Sequence, residues 1–388
     1  MFPSLTDTLP TDWSYLSEGG ATIVFSYKGP SNPSFNGTVL RLRKRVLGSE
    51  DEDHHSEIDF TIDFQKEIIE RLIPRAHLPR LVPVVVGEDA GTWLEALAAA
   101  CEPHRPAERR RTDHIDVKSS NAVLATDLVG GQIIAVEIKP KWGFLPSPTF
   151  LSDATRSIKT RTCRFCMHSH LKAQQGDVVA LGYCSLDLFS GDESRVKNAL
   201  SSLWDAWMNS DGAMNNLKVF VHGKKIGPVE QSCILDLLDD ATDPKEALIS
   251  ALLPILTATP VLRTLAHLQR TLDALDIEGL AALWDRAPVG PDPTMSEWTD
   301  FIATYLAAPS LPPADSAHLR HHALAYLLSA TLKDCSVIVR VPDGTVAVID
   351  LDAKHIDRLR KWARLDAEIV RAYAAVPERK VCVDALRV

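Results

Sequence analysis

No apolar run in this sequence reaches the length of about 20 residues that a membrane-spanning helix requires. The opening MFPSLTDTLPTDW lacks the basic start and apolar core of a secretory signal, so the expectation is an intracellular protein without membrane insertion. Positive charge is scarce as well. A formal net charge of −9 excludes a nucleic-acid binder held by a basic field over its whole surface, so any basic cluster must be local and aimed. Seven cysteines, an odd number without the spacing of a small stapled scaffold, argue for reduced thiols rather than a disulfide framework. No internal repeat is visible. What remains is 388 residues of ordinary globular composition, enough for two lobes each with its own core.

The most informative stretch is Val136–Pro146, VEIKPKWGFLP. An apolar strand carrying Glu137 runs into Lys139 and Lys141, two apart and therefore on one side of an extended chain. Pro140 stiffens the backbone between them, and Trp142 to Pro146 close the segment with a turn and apolar anchors. Two lysines could simply end a solvated strand. Held side by side, they also suit a phosphate, and the rest of the chain decides between these readings.

Upstream, YLSEGGATIVFSYK (15–28) places Gly19 and Gly20 before an apolar strand, and TVLRLRKR (38–45) follows after a turn. Paired glycines let backbone amides approach a phosphate, and a strand cation after such a turn is how kinase-like N-lobes hold a nucleotide. The acidic run 49–57 reads as a solvated loop, 58–73 as a helix ended by Pro74, 78–87 as a strand and 92–102 as an apolar helix. Residues 104–114 concentrate arginine, including Arg109, Arg110 and Arg111, either as a flexible loop or as an anion-binding arm. A buried strand then ends at Asp127, and the lobe boundary is placed beside Gly130-Gly131.

Beyond Pro148 the segment 155–176 is dense in Arg, Lys, His and Cys. Cys163, Cys166, His168 and His170 could be a zinc site, but all four crowd into eight residues where a second pair about 12 or more residues away is usual. On a helix, Arg164, His168 and Lys172 would share one cationic face, which is the better reading. A strand at 215–227 begins with Asn215, Asn216 and Lys218; helices fill 234–285; and the Pro-rich 287–316 resembles an insertion around a short helix, Met295–Leu306. The last block is a helix, a hairpin turning at Pro342-Asp343-Gly344, and a final helix. Asp334 precedes its first strand, and Asp350 and Asp352 end its second, where carboxylates can hold Mg²⁺ with nucleotide phosphates. Lys354, Arg358, Lys361 and Trp362 follow at the spacing of one helical face. Metal-binding acids, phosphate-binding cations and a glycine turn together describe phosphoryl transfer to a small, highly charged acceptor.

GGATIVFSY (19–27), VLRLRK (39–44), EIKPKWGFLP (137–146), RFCMHSHLK (164–172), LDLFSG (186–191), NNLKVF (215–220), KDCS (333–336) and IDLDAKHIDRLRKW (349–362) occur in one order along nearly the whole chain. In these motifs the sequence resembles the inositol-pentakisphosphate 2-kinases, in particular the fungal members. The resemblance implies an α+β, two-lobed kinase-like fold: an N-lobe antiparallel sheet with helices at 1–128, a hinge at 126–131, and a larger α/β C-lobe with an inositide-binding insertion at 129–388. It implies transfer of the ATP γ-phosphate, with Mg²⁺, to the 2-hydroxyl of inositol 1,3,4,5,6-pentakisphosphate, giving the hexakisphosphate. The alternatives are a kinase of other positional specificity or a non-catalytic inositol-phosphate-binding protein.

By the same resemblance Gly19, Gly20, Arg41, Asp127, Glu137, Asn216 and Lys218 serve the nucleotide, and Asp350 the metal. Asp334 and Lys139 are catalytic, and Arg109, Lys141, His168, Lys172, Lys354, Arg358 and Trp362 meet the inositide. Arg110 or Arg111 could replace Arg109. Lys218 stands where arginine is common and Trp362 where tyrosine is expected, which removes a bidentate contact and a hydroxyl. The zinc ligands known in some relatives have no evident counterpart. The resemblance further implies a monomer in nucleus or cytoplasm, with ATP and inositol pentakisphosphate as partners and no nucleic acid as substrate.

Overall fold

The computed structural model describes residues 3–20, 22–47, 57–86, 90–118, 121–238, 242–285, 288–341 and 343–385. Most of the acidic run 49–57 lies outside them, as do Ala21, Ser120, Ala287 and Pro342 of the segments discussed above. Helices and antiparallel sheets make an α+β protein, and the chain divides into two compact units. The first comprises Met1–Phe64, Pro79–Ile133 and His222–Lys225; the second comprises Gln65–Leu78, Ile134–Val221 and Ile226–Val388.

In the first unit, strands β1 (Trp13–Glu18), β2 (Thr22–Tyr27), β3 (Thr38–Val46), β4 (Leu81–Val85), β5 (Asp113–Ile115) and β6 (Asn121–Thr126) form a sheet ordered β1-β2-β3-β6-β4, with β5 added to the end of β3. The alternation in β3 fixes its faces. Leu40 and Leu42 enter a core with Ile23, Phe25, Leu94 and Leu97, the last two from the helix Ala90–Cys101, each such side chain contributing about 1.5–3 kcal/mol. Arg41 and Arg43 take the other, half-buried face.

Lys44 continues the core parity and is almost completely buried, with Glu18 at 2.9 Å and Asp113 at 3.0 Å. Arg105, fully buried, completes the cluster against the same two carboxylates. Burial opposes ionisation of Glu18, yet Arg105 and Lys44 hold its carboxyl below the usual range. Lys44 is thus the centre of a buried ion cluster at the root of the glycine turn.

In the second unit, β7 (Ile134–Ile138), β8 (Leu217–Val221), β10 (Ser336–Val341) and β11 (Val346–Ile349) run in the order β11-β10-β7-β8, all antiparallel; a short β9 (Lys224–Ile226) follows β8 in the chain. Every residue of β7 is buried, which explains its continuous apolar reading. The helix Leu319–Asp334 leads into β10. The region 155–176 forms two helices, Asp153–Lys159 and Arg164–Gln174, whose Ile158, Met167 and Leu171 pack on Ile369, Val370 and Tyr373 of the last helix, Arg358–Ala374. The predicted helix over 58–73 is shorter, Glu57–Glu67, and continues as separate 3₁₀ turns at Ile69–Arg71 and Arg75–His77. No single helix among the described residues is long and apolar enough to cross a membrane.

Candidate active site

The site of the second unit begins where β7 stops. The Lys139 backbone is held by buried Asn216, its N–H donating to the Asn216 carbonyl at 3.0 Å and its own carbonyl accepting from the side-chain Nδ2 of Asn216 at 3.3 Å. Lys141 has φ of +66°, a left-handed conformation that costs a non-glycine residue about 1 kcal/mol or more. That reversal breaks the extended geometry expected of the pair. The two ammonium groups consequently serve different carboxylates: Lys139 Nζ lies 3.6 Å from Asp350 and Lys141 Nζ 3.4 Å from Asp334.

Around Lys139 an acidic group assembles on the sheet. Glu137 on β7 faces Lys218 on β8 across the register, and Lys218 Nζ donates to both of its oxygens at 3.0 and 2.9 Å. Ser336 Oγ, at the start of β10, lies 2.9 Å from Glu137 and 3.2 Å from Asp350, so one hydroxyl proton stands between two carboxylates. Asp350 follows β11 with φ of +61°, which aspartate tolerates better than most residues, and its side chain is 44% exposed. Burial works to lower the Lys139 pKa, but Asp350, Glu137 and Asp334 outweigh it and raise the value above normal. An exposed carboxylate beside a second one, with only oxygen donors, fits a hard cation such as Mg²⁺. Asp352, two residues on, is exposed, and its carbonyl accepts from Thr331 Oγ1 at 2.9 Å.

Around Lys141 a second group assembles. Asp334 ends the helix Leu319–Asp334 and lies between Lys141 and Lys354, whose Nζ donates to its other oxygen at 3.1 Å. Burial would raise the Asp334 pKa; Lys141 and Lys354 together hold it below the ordinary carboxylate value. Two adjoining cavities, of about 480 and 210 Å³, share Lys141, Trp142, His168 and Asp334 as wall. The larger adds Lys172, Asn215 and Asn216; the smaller adds Arg164, Lys354 and Trp362.

The helical stripe Arg164, His168, Lys172 therefore does face the cavities, but it is not uniformly cationic. Burial, with Arg164, Lys172 and Lys141 nearby, lowers the His168 pKa to about 4, so the ring is neutral at pH 7. Arg164 stacks over Trp142 at 5.4 Å and pairs with Asp366 at 2.8 Å. The second expected stripe is interrupted: the last helix starts only at Arg358, and Lys354 reaches Asp334 from the preceding coil. Arg358 is exposed, 3.8 Å from Asp357, while Trp362 is half-buried with its ring 6.1 Å from that of Tyr326.

The smaller cavity is lined in part by a buried ionic layer that local sequence patterns did not reveal. Lys159, 2% exposed, bridges Asp276 and Asp366; Lys333 pairs with Asp273 and lies over the rings of Phe144 and Tyr326. Asp276 has φ of +60°, and its Oδ1 accepts from the Glu278 N–H.

Cys163, Cys166, Cys184 and Cys382 form a candidate metal site of a different kind, their sulfurs all within 4.8 Å of one another. Cys163 and Cys184 are 3.9 Å apart. A tetrahedron built on a Zn–S bond of about 2.3 Å has its sulfurs about 3.8 Å apart, so this donor set fits Zn²⁺. The crowded Cys-Cys-His-His reading is thereby corrected. His168 lines the cavities, and His170 packs edge-on against Tyr373, while the third thiol is Cys184 and the fourth, Cys382, comes from near the end of the chain.

The remaining predicted residues lie in the first unit. Gly19 and Gly20 are exposed in the β1–β2 turn, where the Gly19 N–H donates to the Thr22 carbonyl at 2.9 Å. A Cβ at either would meet nothing within 4 Å, so the fold itself does not require these glycines. The Asp127 carboxylate accepts from Ser26 Oγ at 2.6 Å and from the N–H groups of Val129 and Gly130 at 3.0 and 2.7 Å. It builds the turn after β6, and a Cβ at Gly130 would lie 2.4 Å from it. Arg109, Arg110 and Arg111 are all exposed, the first two on the short helix Ala107–Arg110.

A family model described as inositol-pentakisphosphate 2-kinase matches residues 15–368. The chain is 37% identical to an inositol-pentakisphosphate 2-kinase of Cryptococcus neoformans, over 94% of this chain and 93% of that one. It is 28% identical to the enzymes of the same name from Oryza sativa and Arabidopsis thaliana, over 93% and 94% of this chain and 93% of each relative. With the motifs in order, the acid and lysine clusters assembled and most of the chain matched, the protein belongs to the inositol-pentakisphosphate 2-kinase family.

Proposed function

We propose that the protein transfers the γ-phosphoryl group of ATP to the 2-hydroxyl of inositol 1,3,4,5,6-pentakisphosphate, forming the hexakisphosphate. The observation that carries this reading is Asp334 set between Lys141 and Lys354 on the wall shared by the two cavities. A carboxylate with a lowered pKa is ionised at neutral pH and accepts a hydrogen bond from the acceptor hydroxyl, orienting it for in-line attack. A loose transition state needs little proton abstraction, so orientation and charge carry most of the rate.

Lys141, Lys354, Lys172 and Arg358 would grip inositide phosphates, with neutral His168 donating or accepting a hydrogen bond among them. Lys139 and Lys218 lie on the nucleotide side, next to Asn216, Glu137 and Asp350. Asp350 would hold Mg²⁺, which when bound neutralises charge on the transferring phosphates. In the first unit, Gly19, Gly20, Arg41 and Asp127 are assigned to the nucleotide and Arg109 to the inositide. The thiol cluster would hold Zn²⁺ as a structural ion, tying Cys382 to the segment that carries Arg164 and His168.

The test is a coupled assay of ADP release with Mg·ATP and a series of pentakisphosphate isomers. Turnover with the 1,3,4,5,6 isomer, and none with isomers whose 2-position is already phosphorylated, is expected. Comparable turnover with the latter would replace this reading by another positional specificity.

A further inference from the structure

Gln269 belongs to no motif of the sequence, yet its side chain touches the backbone on both sides of the Lys141–Asp334 pair. It is fully buried on the helix Val261–Leu272. Its Oε1 accepts from the Gly143 N–H at 2.8 Å, while Nε2 donates to the Lys141 carbonyl at 3.1 Å and to the Leu332 carbonyl at 2.9 Å. Both amide hydrogens and the oxygen are thereby used. Leu332 sits in the last turn of the helix that ends at Asp334, where carbonyls have no intrahelical partner. Ser329, on the same helix, donates to the Gln269 backbone carbonyl at 2.8 Å.

The loop has reason to need such a hold. Lys141 is in the left-handed region, which costs about 1–3 kcal/mol unless the surroundings fix it. Gly143 lies flush on the same helix, since a Cβ there would come within 2.9 Å of Ala266 and Phe189.

We propose that Gln269 is a positioning residue for phosphoryl transfer: by joining the Lys141 loop to the end of the Asp334 helix, it sets the separation of the phosphate-binding ammonium from the hydroxyl-orienting carboxylate. This rests on the assignment of Lys141 and Asp334 to the inositide. The amide acts through the backbone of both partners and needs no contact with substrate.

The test compares steady-state kinetics of wild type, Gln269→Met, Gln269→Glu and Lys141→Ala, with Leu200→Ala as a core variant far along the chain. Methionine keeps the volume and removes all three hydrogen bonds; glutamate keeps the acceptor for Gly143. Gln269→Met should raise the inositide KM about tenfold and lower kcat, with the ATP KM within about twofold, because small misplacements at a reacting centre cost up to about a hundredfold. Gln269→Glu should fall between Gln269→Met and wild type, and it carries the comparison if the methionine variant does not fold. Leu200→Ala should lower the melting temperature and leave both KM values alone. If Lys141→Ala raises the inositide KM and neither Gln269 variant does, positioning by Gln269 is overturned and the site assignment stands. If Lys141→Ala leaves that KM unchanged, the assignment falls and takes this inference with it.

Discussion

Replacing Lys159 by methionine tests the buried ionic layer that lines the smaller cavity. The lysine is 2% exposed and neutralises Asp276 and Asp366, with Glu278 a further 3.6 Å away. Burial alone would lower its pKa, but Asp276 and Asp366 outweigh burial and raise it, so the ammonium is charged throughout the working range. Breaking a buried pair from one side costs about 3–5 kcal/mol, because the partner charge stays behind. Asp366 keeps Arg164 at 2.8 Å, so the loss concentrates on Asp276 and lies at the low end, about 3 kcal/mol. In urea unfolding followed by the fluorescence of buried Trp204, Trp207 and Trp298, the midpoint should fall by up to about 1 M, since m for a chain of this length is about 3 kcal/mol per M or more. The double variant Lys159→Met, Asp276→Asn should recover part of this, since asparagine accepts the left-handed backbone of position 276 and carries no charge. A loss below about 1 kcal/mol for Lys159→Met alone would refute the view that this layer is a paired charge network.

The purified protein should contain one equivalent of zinc by elemental analysis, and Cys382→Ser should lose metal and melt earlier; four freely titratable thiols and no zinc would contradict the assignment. His168 carries a pH dependence whose sign follows from its lowered pKa. Between about 6.5 and 4 the unfolded ring binds a proton that the folded ring refuses, so this group's contribution to stability is present above pH 6.5 and is lost as pH falls towards 4. His168→Gln should therefore flatten the stability profile across that window, and an unchanged profile would show that the ring is not held neutral.

The acid and lysine motifs were legible because EIKPKWGFLP, KDCS and IDLDAKH each place their residues within one turn or strand end. There, local chain geometry dictates what meets. Even so, the left-handed Lys141 divided a lysine pair that an extended reading kept together, since φ at one residue is not visible in a pattern of residue types. The ion pairs of Lys44 and Lys159 were not legible, because their carboxylate partners come from other segments. The thiol cluster failed for the same reason: Cys382 lies far from the Cys-x2-Cys pair in the chain, and only the fold unites them. Gln269 gave no signal at all, for a buried glutamine on an amphipathic helix is distinguished only by what it bonds.

The central claim is that this chain phosphorylates the 2-hydroxyl of inositol pentakisphosphate at the carboxylate of Asp334. The most direct measurement is anion-exchange analysis of the product formed from Mg·ATP and inositol 1,3,4,5,6-pentakisphosphate by wild type and by Asp334→Asn, with inositide binding of both followed by calorimetry. The account predicts hexakisphosphate from wild type, and from Asp334→Asn a rate lower by about a hundredfold or more with binding retained. Hexakisphosphate formed by Asp334→Asn at the wild-type rate would contradict it, as would a wild type that binds the inositide and makes no hexakisphosphate.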